Sequence, residues 1–229
     1  MLTIIFCWLF FGTIIYLVGR LLLSMKILKI INIKETPEWY ECFWVGLVAV
    51  IGILQIWSLF LPVNIYSLIF VTVLACISAV FFFRKGIKFP KINTFFIIVS
   101  ILVLLAISYF ASLSGGWPDT YGYHLNAVKW SNLYKVVPGL ANLHTRLGFN
   151  SSFFLFSSMI DNLFLKDRSS HIALSLLASV LSIEALWICL KSRNNYLKIF
   201  ILLSLPIFIE GIVHSVQISS LSYDFALLI

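Results

Sequence analysis

The chain has 229 residues, of which 61% are hydrophobic and only 11% charged. A soluble domain of this length needs far fewer apolar residues to fill its core, so the composition excludes an ordinary soluble enzyme and predicts an all-α protein that crosses a bilayer several times. The net charge of +7 then reads as topology signal and headgroup attraction, and nucleic acid is not an expected partner.

Crossing the hydrocarbon takes about 20 mostly apolar residues per helix. The first such run extends from Met1 to about Leu23, broken only by Gly19-Arg20. It has no basic leader and no small-residue cleavage site, so it reads as a retained first helix. Lys26, Lys29 and Lys34 follow, then Glu35, Glu38 and Glu41. Two spans are expected at about Phe43–Leu61 and Ile65–Phe83, joined by an uncharged Pro-Val-Asn turn. Arg84, Lys85, Lys88 and Lys91 precede a fourth span at about Thr94–Ala111. Residues 112–169 form the longest stretch of mixed polarity. Beyond it lie spans at about Ser170–Leu190 and Tyr196–Ile212, separated by a loop carrying Lys191, Arg193 and Lys198. The chain re-enters apolar sequence at Phe225. An unfinished helix would leave backbone groups unsatisfied in lipid, so the expectation is a piece of a longer protein. Three parts result: four spans in residues 1–111, an outer segment in 112–169, and further spans in 170–229.

Lysine and arginine in short loops mark the cytoplasmic side. The loops after spans one, three and five are basic, which places residues 112–169 on the outer face. Within that segment Ser151–Leu165 is apolar but only about 15 residues long, short for a span. It holds four serines together with Asp161-Asn162 and reads as an interfacial or re-entrant helix. Cys7, Cys42, Cys76 and Cys189 are scattered without CxxC pairing and read as small buried hydrophobes.

The outer segment opens with Gly115-Gly116-Trp117-Pro118-Asp119-Thr120-Tyr121-Gly122-Tyr123-His124. The glycines close the preceding helix and Pro118 discourages helix at Trp117. Asp119 then stands at a helix N-cap position, a role worth about 1 kcal/mol. Thr120–Lys135 reads as a helix on the membrane surface, with Leu125, Val128, Asn132 and Leu133 marking one side. Tyr121, Tyr123, Trp130 and Tyr134 suit the headgroup zone. His124 is either an interfacial aromatic or a proton-transfer partner of Asp119. Five residues apart, the two would share a helical face only if the first turn is distorted. Further on, Arg146 could grip a phosphate with two prongs or snorkel to headgroups. Asn150-Ser151-Ser152 fits an N-glycosylation pattern too common to carry a role. Asp224 heads the last apolar run on the same side as Asp119. Glu184 and Glu210 lie in or near spans and need partners or a wet cavity.

The string from Asp119 to Ser152, DTYGYHLNAVKW followed by VVPGL, NLHTRLGFNSS, resembles the first large outer loop of the GT-C superfamily. These are polytopic membrane glycosyltransferases such as the protein O-mannosyltransferases and the aminoarabinose transferase acting on lipid A. It is more similar still to a group of large bacterial membrane proteins placed near that superfamily, and the resemblance covers roughly residues 117–229. It implies a GT-C-like helical bundle in a bacterial inner membrane. The implied activity is inverting transfer of a sugar from a polyprenyl phosphate donor to a lipid, glycan or protein acceptor on the outer face. Asp119 would take the acceptor's proton as the oxygen attacks the anomeric carbon, with His124 as its partner. Asp224 would be the second outer acid. Arg146, and with it Lys129, His144 and Asn150, would face phosphate and substrate. No cofactor or metal site is implied, although a divalent cation stays open. Two departures stand out: four spans precede this loop, and a single acid replaces the paired acids of some relatives.

Two other classes fit the same features. A flippase or other transporter of lipid-linked sugars would place its polar residues inside spans near the midplane, where Glu184 is the one candidate. An O-antigen polymerase type would also carry a large outer loop.

Overall fold

The computed structural model describes residues 1–24, 37–85, 93–113, 118–148, 151–162 and 165–213, with Ser219 and Leu221. All regular elements among these residues are helical. They are α1 (Leu2–Ser24), α2 (Trp39–Phe60), α3 (Ile65–Lys85), α4 (Thr94–Ser112), α5 (Leu125–Leu133), α6 (Leu140–Leu143), α7 (Ser152–Ile160), α8 (Ala173–Lys191) and α9 (Asn195–Val213). A π-helical turn, Thr120–His124, precedes α5, and 3-10 turns occupy Thr145–Gly148 and Ser169–His171. Each long helix lies within a few residues of its expected span.

Five helical stretches are long and apolar enough to cross a membrane: Leu2–Ser24, Trp39–Phe60, Ile65–Phe82, Thr94–Ser112 and Ser169–Lys191. In α9 the described apolar stretch, Asn195–Pro206, is shorter and ends at a proline inside the helix. Between 28% and 44% of each spanning window is buried inside the protein. The remaining faces carry Leu2, Phe6, Val48, Ile56, Phe60 and Ile69, all more than half exposed. Helices that are apolar all round need hydrocarbon as their solvent. These features are those of a multi-pass integral membrane protein.

The helices divide into two compact units, one of residues 1–8, 90–124 and 168–229, the other of residues 9–89 and 125–167. In the first, α4 and α8 run antiparallel. His171 Nδ1, just before α8, donates to the Ala111 carbonyl at the end of α4 (2.8 Å). At the opposite ends Phe96 meets Trp187 edge-on with centroids 5.2 Å apart, and Lys191 Nζ lies 4.9 Å over the same indole. Trp8 Nε1 donates to Ser175 Oγ (3.0 Å), which holds the first residues of α1 at the head of α8. Ser175, Ser179 and Ser182 return their hydroxyl protons to carbonyls four residues earlier. The polar atoms of this apolar helix are thereby satisfied within it. Glu184 is half-buried in α8.

In the second unit α1 and α2 approach backbone to backbone. A Cβ at Gly19 would collide with the Cys42 carbonyl, and one at Gly46 with the Ile15 carbonyl. Such contacts are the usual basis of helix pairing in lipid, where small residues let backbones close up. Ser78 Oγ donates to the Leu17 carbonyl (2.7 Å), tying α3 to α1. The one charge inside α1, Arg20, sits 4.2 Å over the Phe82 ring, an arrangement that lowers the cost of a guanidinium at this depth. At its start α2 has a capping box, with the Glu38 N–H donating to Glu41 Oε2 (2.7 Å).

Three expectations change. Of the two readings of the apolar stretch at Ser151–Leu165, interfacial or re-entrant, the interfacial one does not hold. The helical part of the stretch, α7, has nine residues, about 14 Å of rise, and Phe153–Ile160 are all buried against α2, α3 and α5. An apolar element exposing no face belongs inside the protein. The surface helix expected over Thr120–Lys135 ends at Leu133 and begins with a π turn. Among the cysteines, Cys7 and Cys42 are buried and all four are free, but Cys76 is exposed on α3.

Two predictions follow from this arrangement. In a background lacking the native cysteines, Asn142→Cys and Lys166→Cys, both at exposed positions, should react with an impermeant maleimide in intact cells. Arg193→Cys should react only after lysis. Separately, Gly46→Val overpacks the α1–α2 contact and should destabilise the protein by about 1–3 kcal/mol. That loss would be read as a fall in unfolding midpoint in detergent, with Gly52→Val as a control because nothing approaches Gly52 within 4 Å.

Candidate functional site

Residues 118–169 are shared between the two units. Pro118 and Asp119 already have helical backbone, so Asp119 sits in the first turn behind a proline and is not the N-cap. Proline suits the first helical position because its missing N–H is one that no helix satisfies there. An acid in the first turn is favoured by the helix dipole. The turn Thr120–His124 is π-helical, with hydrogen bonds closing over five residues instead of four. In an α-helix Asp119 and His124 would point about 140° apart. Five-residue closure brings positions of that spacing to neighbouring places on one face, and π insertions of this kind recur at functional sites. This is a distortion of the kind the sequence required if the two were to share a face.

Asp119 is half-buried. His124 is 2% exposed and Thr120 1%, so His124 is no interfacial aromatic. The Tyr123 ring meets the His124 imidazole edge-on with centroids 4.2 Å apart. Thr120 Oγ1 accepts from the Leu221 N–H (3.4 Å), so the chain returns to this turn three residues before Asp224. Asp224 and Asn150 lie outside the described residues.

In the second unit the outer segment is built on the α2–α3 turn. Val63 is fully buried; its N–H donates to the Ser131 carbonyl (2.8 Å). Its carbonyl accepts from Ser158 Oγ (2.8 Å) and Asn132 Nδ2 (3.3 Å). The same Asn132 amide donates to the carbonyls of Ser158 (3.1 Å) and Asp161 (3.5 Å). One asparagine thus holds the turn, α5 and the end of α7 together. Asp161 is 5% exposed, and its Oδ2 accepts from the Asp167 N–H (3.2 Å). Asp167 has left-handed backbone at φ 62°, and its own carboxylate pairs with Lys129 Nζ (2.9 Å). Lys129, expected to face phosphate, therefore has an acid partner, and with both side chains about half exposed the pair adds little stability.

His144 and Arg146 are exposed on a hairpin made by α6 and the 3-10 turn Thr145–Gly148. It begins at Gly139, the N-cap of α6, whose φ of 86° a side chain would strain. Its arms touch at Ala141 and Gly148, where a Cβ would come within 2.9 Å of the Ala141 Cβ. Between this hairpin, α5 and α7 opens a cleft of about 260 Å³ lined by Ser58, Trp130, Tyr134, Lys135, Ser151 and Phe154 among others.

Asp119 and His124 thus lie in one unit, and His144 and Arg146 in the other. Among the described residues no group of three or more His, Cys, Asp or Glu side chains could hold a metal ion. Sequence reasoning missed Asn132, counted there only as part of a helix face. An amide on the same helix face as Leu125 and Val128 was the available signal.

The fold is that of a polytopic helical membrane protein. Over its whole length, residues 1–229, the chain matches a family described as a domain of unknown function, DUF8201, and it belongs to that family. No curated protein and no solved structure matches it.

Asn132→Leu should lower stability by about 1–3 kcal/mol, because buried carbonyls lose their donor. Asn132→Asp should cost more, since an ionised carboxylate can only accept and would face carbonyls. Thermal unfolding of the purified protein reads both.

Proposed function

We propose that this protein is an integral membrane glycosyltransferase of GT-C type, working on the outer face of a bacterial inner membrane. Its donor is a sugar carried on polyprenyl phosphate, and its acceptor a hydroxyl of a lipid, glycan or protein. The reading is supported by the π turn at residues 120–124, because five-residue closure favours a shared face for half-buried Asp119 and buried His124. Asp119 takes the acceptor proton as the oxygen attacks the anomeric carbon, the bond to the phosphate oxygen breaks, and the configuration inverts. His124 orients the acid. The leaving phosphate draws on cationic side chains. Asp224 enters this reading through Leu221, which returns to Thr120.

The test uses the full-length protein in membranes supplied with a panel of radiolabelled polyprenyl-phosphate hexoses. Asp119→Asn should reduce label transfer by at least a hundredfold, the lower range for loss of an acid–base group, while abundance and insertion stay normal. Asparagine keeps the size of the side chain and gives up the charge–dipole interaction, worth about 0.3–1 kcal/mol. Transfer by the variant at the wild-type rate would return Asp119 to helix stabilisation.

A further inference from the structure

The cleft between α5, α7 and the hairpin at Gly139–Gly148 has no part in the reading above, and its depth and lining identify what it holds. Helix α2 has 22 residues, about 33 Å of rise, close to the roughly 30 Å of a hydrocarbon core. Ser58 lies in its last turn and forms one wall of the cleft, and the Val136 N–H donates to the Ser58 carbonyl (2.8 Å). The cleft therefore opens at the boundary between hydrocarbon and headgroups. Trp130 and Tyr134, four residues apart on and just beyond α5, present adjacent rings at 5.0 Å with planes tilted by 39°, and Lys135 stands beside them in the lining. Aromatic rings with a lysine at this depth are the residue types that meet lipid headgroups.

The rim adds a second observation. Leu133 is 67% exposed and Leu143 72%, with Tyr134 and Val136 also turned outward. These residues sit next to the cleft in sequence and would be costly in water. A volume of about 260 Å³ is below the roughly 300–1,000 Å³ of pockets that enclose drug-sized ligands. It suits a headgroup with the first methylenes of its chains, the rest lying along an apolar rim.

We infer that this cleft seats one anionic phospholipid of the bilayer, its phosphate at Lys135, its glycerol region against Trp130 and Tyr134, and its chains over Leu133 and Leu143. The inference is independent of sugar transfer, since the site needs neither Asp119 nor His124. Occupied, it fastens the hairpin carrying His144 and Arg146 to the membrane surface.

The experiment reconstitutes the full chain in nanodiscs of equal parts phosphatidylcholine and phosphatidylglycerol, and counts lipids retained after release by native mass spectrometry. The wild type should retain one phosphatidylglycerol in preference to phosphatidylcholine. Lys135→Glu should weaken that retention by roughly tenfold or more, since it removes an attraction at the headgroup and adds a repulsion. Lys135→Arg should preserve it. Lys135 is exposed, so the variants should fold, which an unchanged circular dichroism spectrum and elution volume would verify. Retention of phosphatidylglycerol by Lys135→Glu at the wild-type level would overturn the proposal. So would equal retention of the two lipids, no retained lipid, or displacement of the lipid by soluble glucuronate, which would make the cleft a sugar site instead.

Discussion

Much of the second unit depends on the peptide groups of Val63. A helical hairpin in a membrane must turn, and the turn exposes N–H and C=O groups that no helix satisfies and that lipid cannot. Here the answer comes from far along the chain. The Ser131 carbonyl takes the Val63 N–H, and Ser158 and Asn132 supply donors to its carbonyl. Once α5 and α7 are fixed to this turn, α7 fills the space between α2, α3 and α5 with Phe153–Ile160. The outer segment of this unit is therefore part of the bundle's packing and not a loop laid over it. The hairpin with His144 and Arg146 and the neighbouring cleft are carried on that base.

Polar side chains in both units are used in the same economical way. Serines in α8 bond back to their own helix, while Ser175 also receives the Trp8 indole N–H. Ser78 and Ser158 instead reach across to carbonyls of other elements. A hydroxyl can do either because its one proton satisfies any nearby carbonyl. In a protein with so few charges, these short bonds and the glycine contact between α1 and α2 supply the specificity that hydrophobic burial cannot give in lipid.

The charged side chains of residues 118–169 fall into two groups. Lys129, Asp161 and Asp167 form one connected group at the end of α7: a buried acid holds a strained turn, and that turn's own acid holds the lysine. Asp119 differs in preceding a π turn that ends at a buried histidine.

The sequence by itself determined the membrane class, the order of the spans and nearly all their ends. Those properties are local: a run of apolar residues near the hydrocarbon thickness, stopped by Pro-Val-Asn, glycines or a basic loop, leaves few alternatives. Its pattern of acids and histidines also singled out Asp119 and His124 as a pair needing a distorted turn. Only the tertiary structure decided that the turn is π-helical, that Ser152–Ile160 is enclosed, and that Lys129 answers to Asp167. It likewise revealed Asn132 as a junction of three carbonyls. Each of these depends on which residues meet across long separations in sequence, as when Val63 meets Asn132 and Ser158. Periodicity fixes the face a residue occupies on its own helix, but the partner on the other side is chosen by packing.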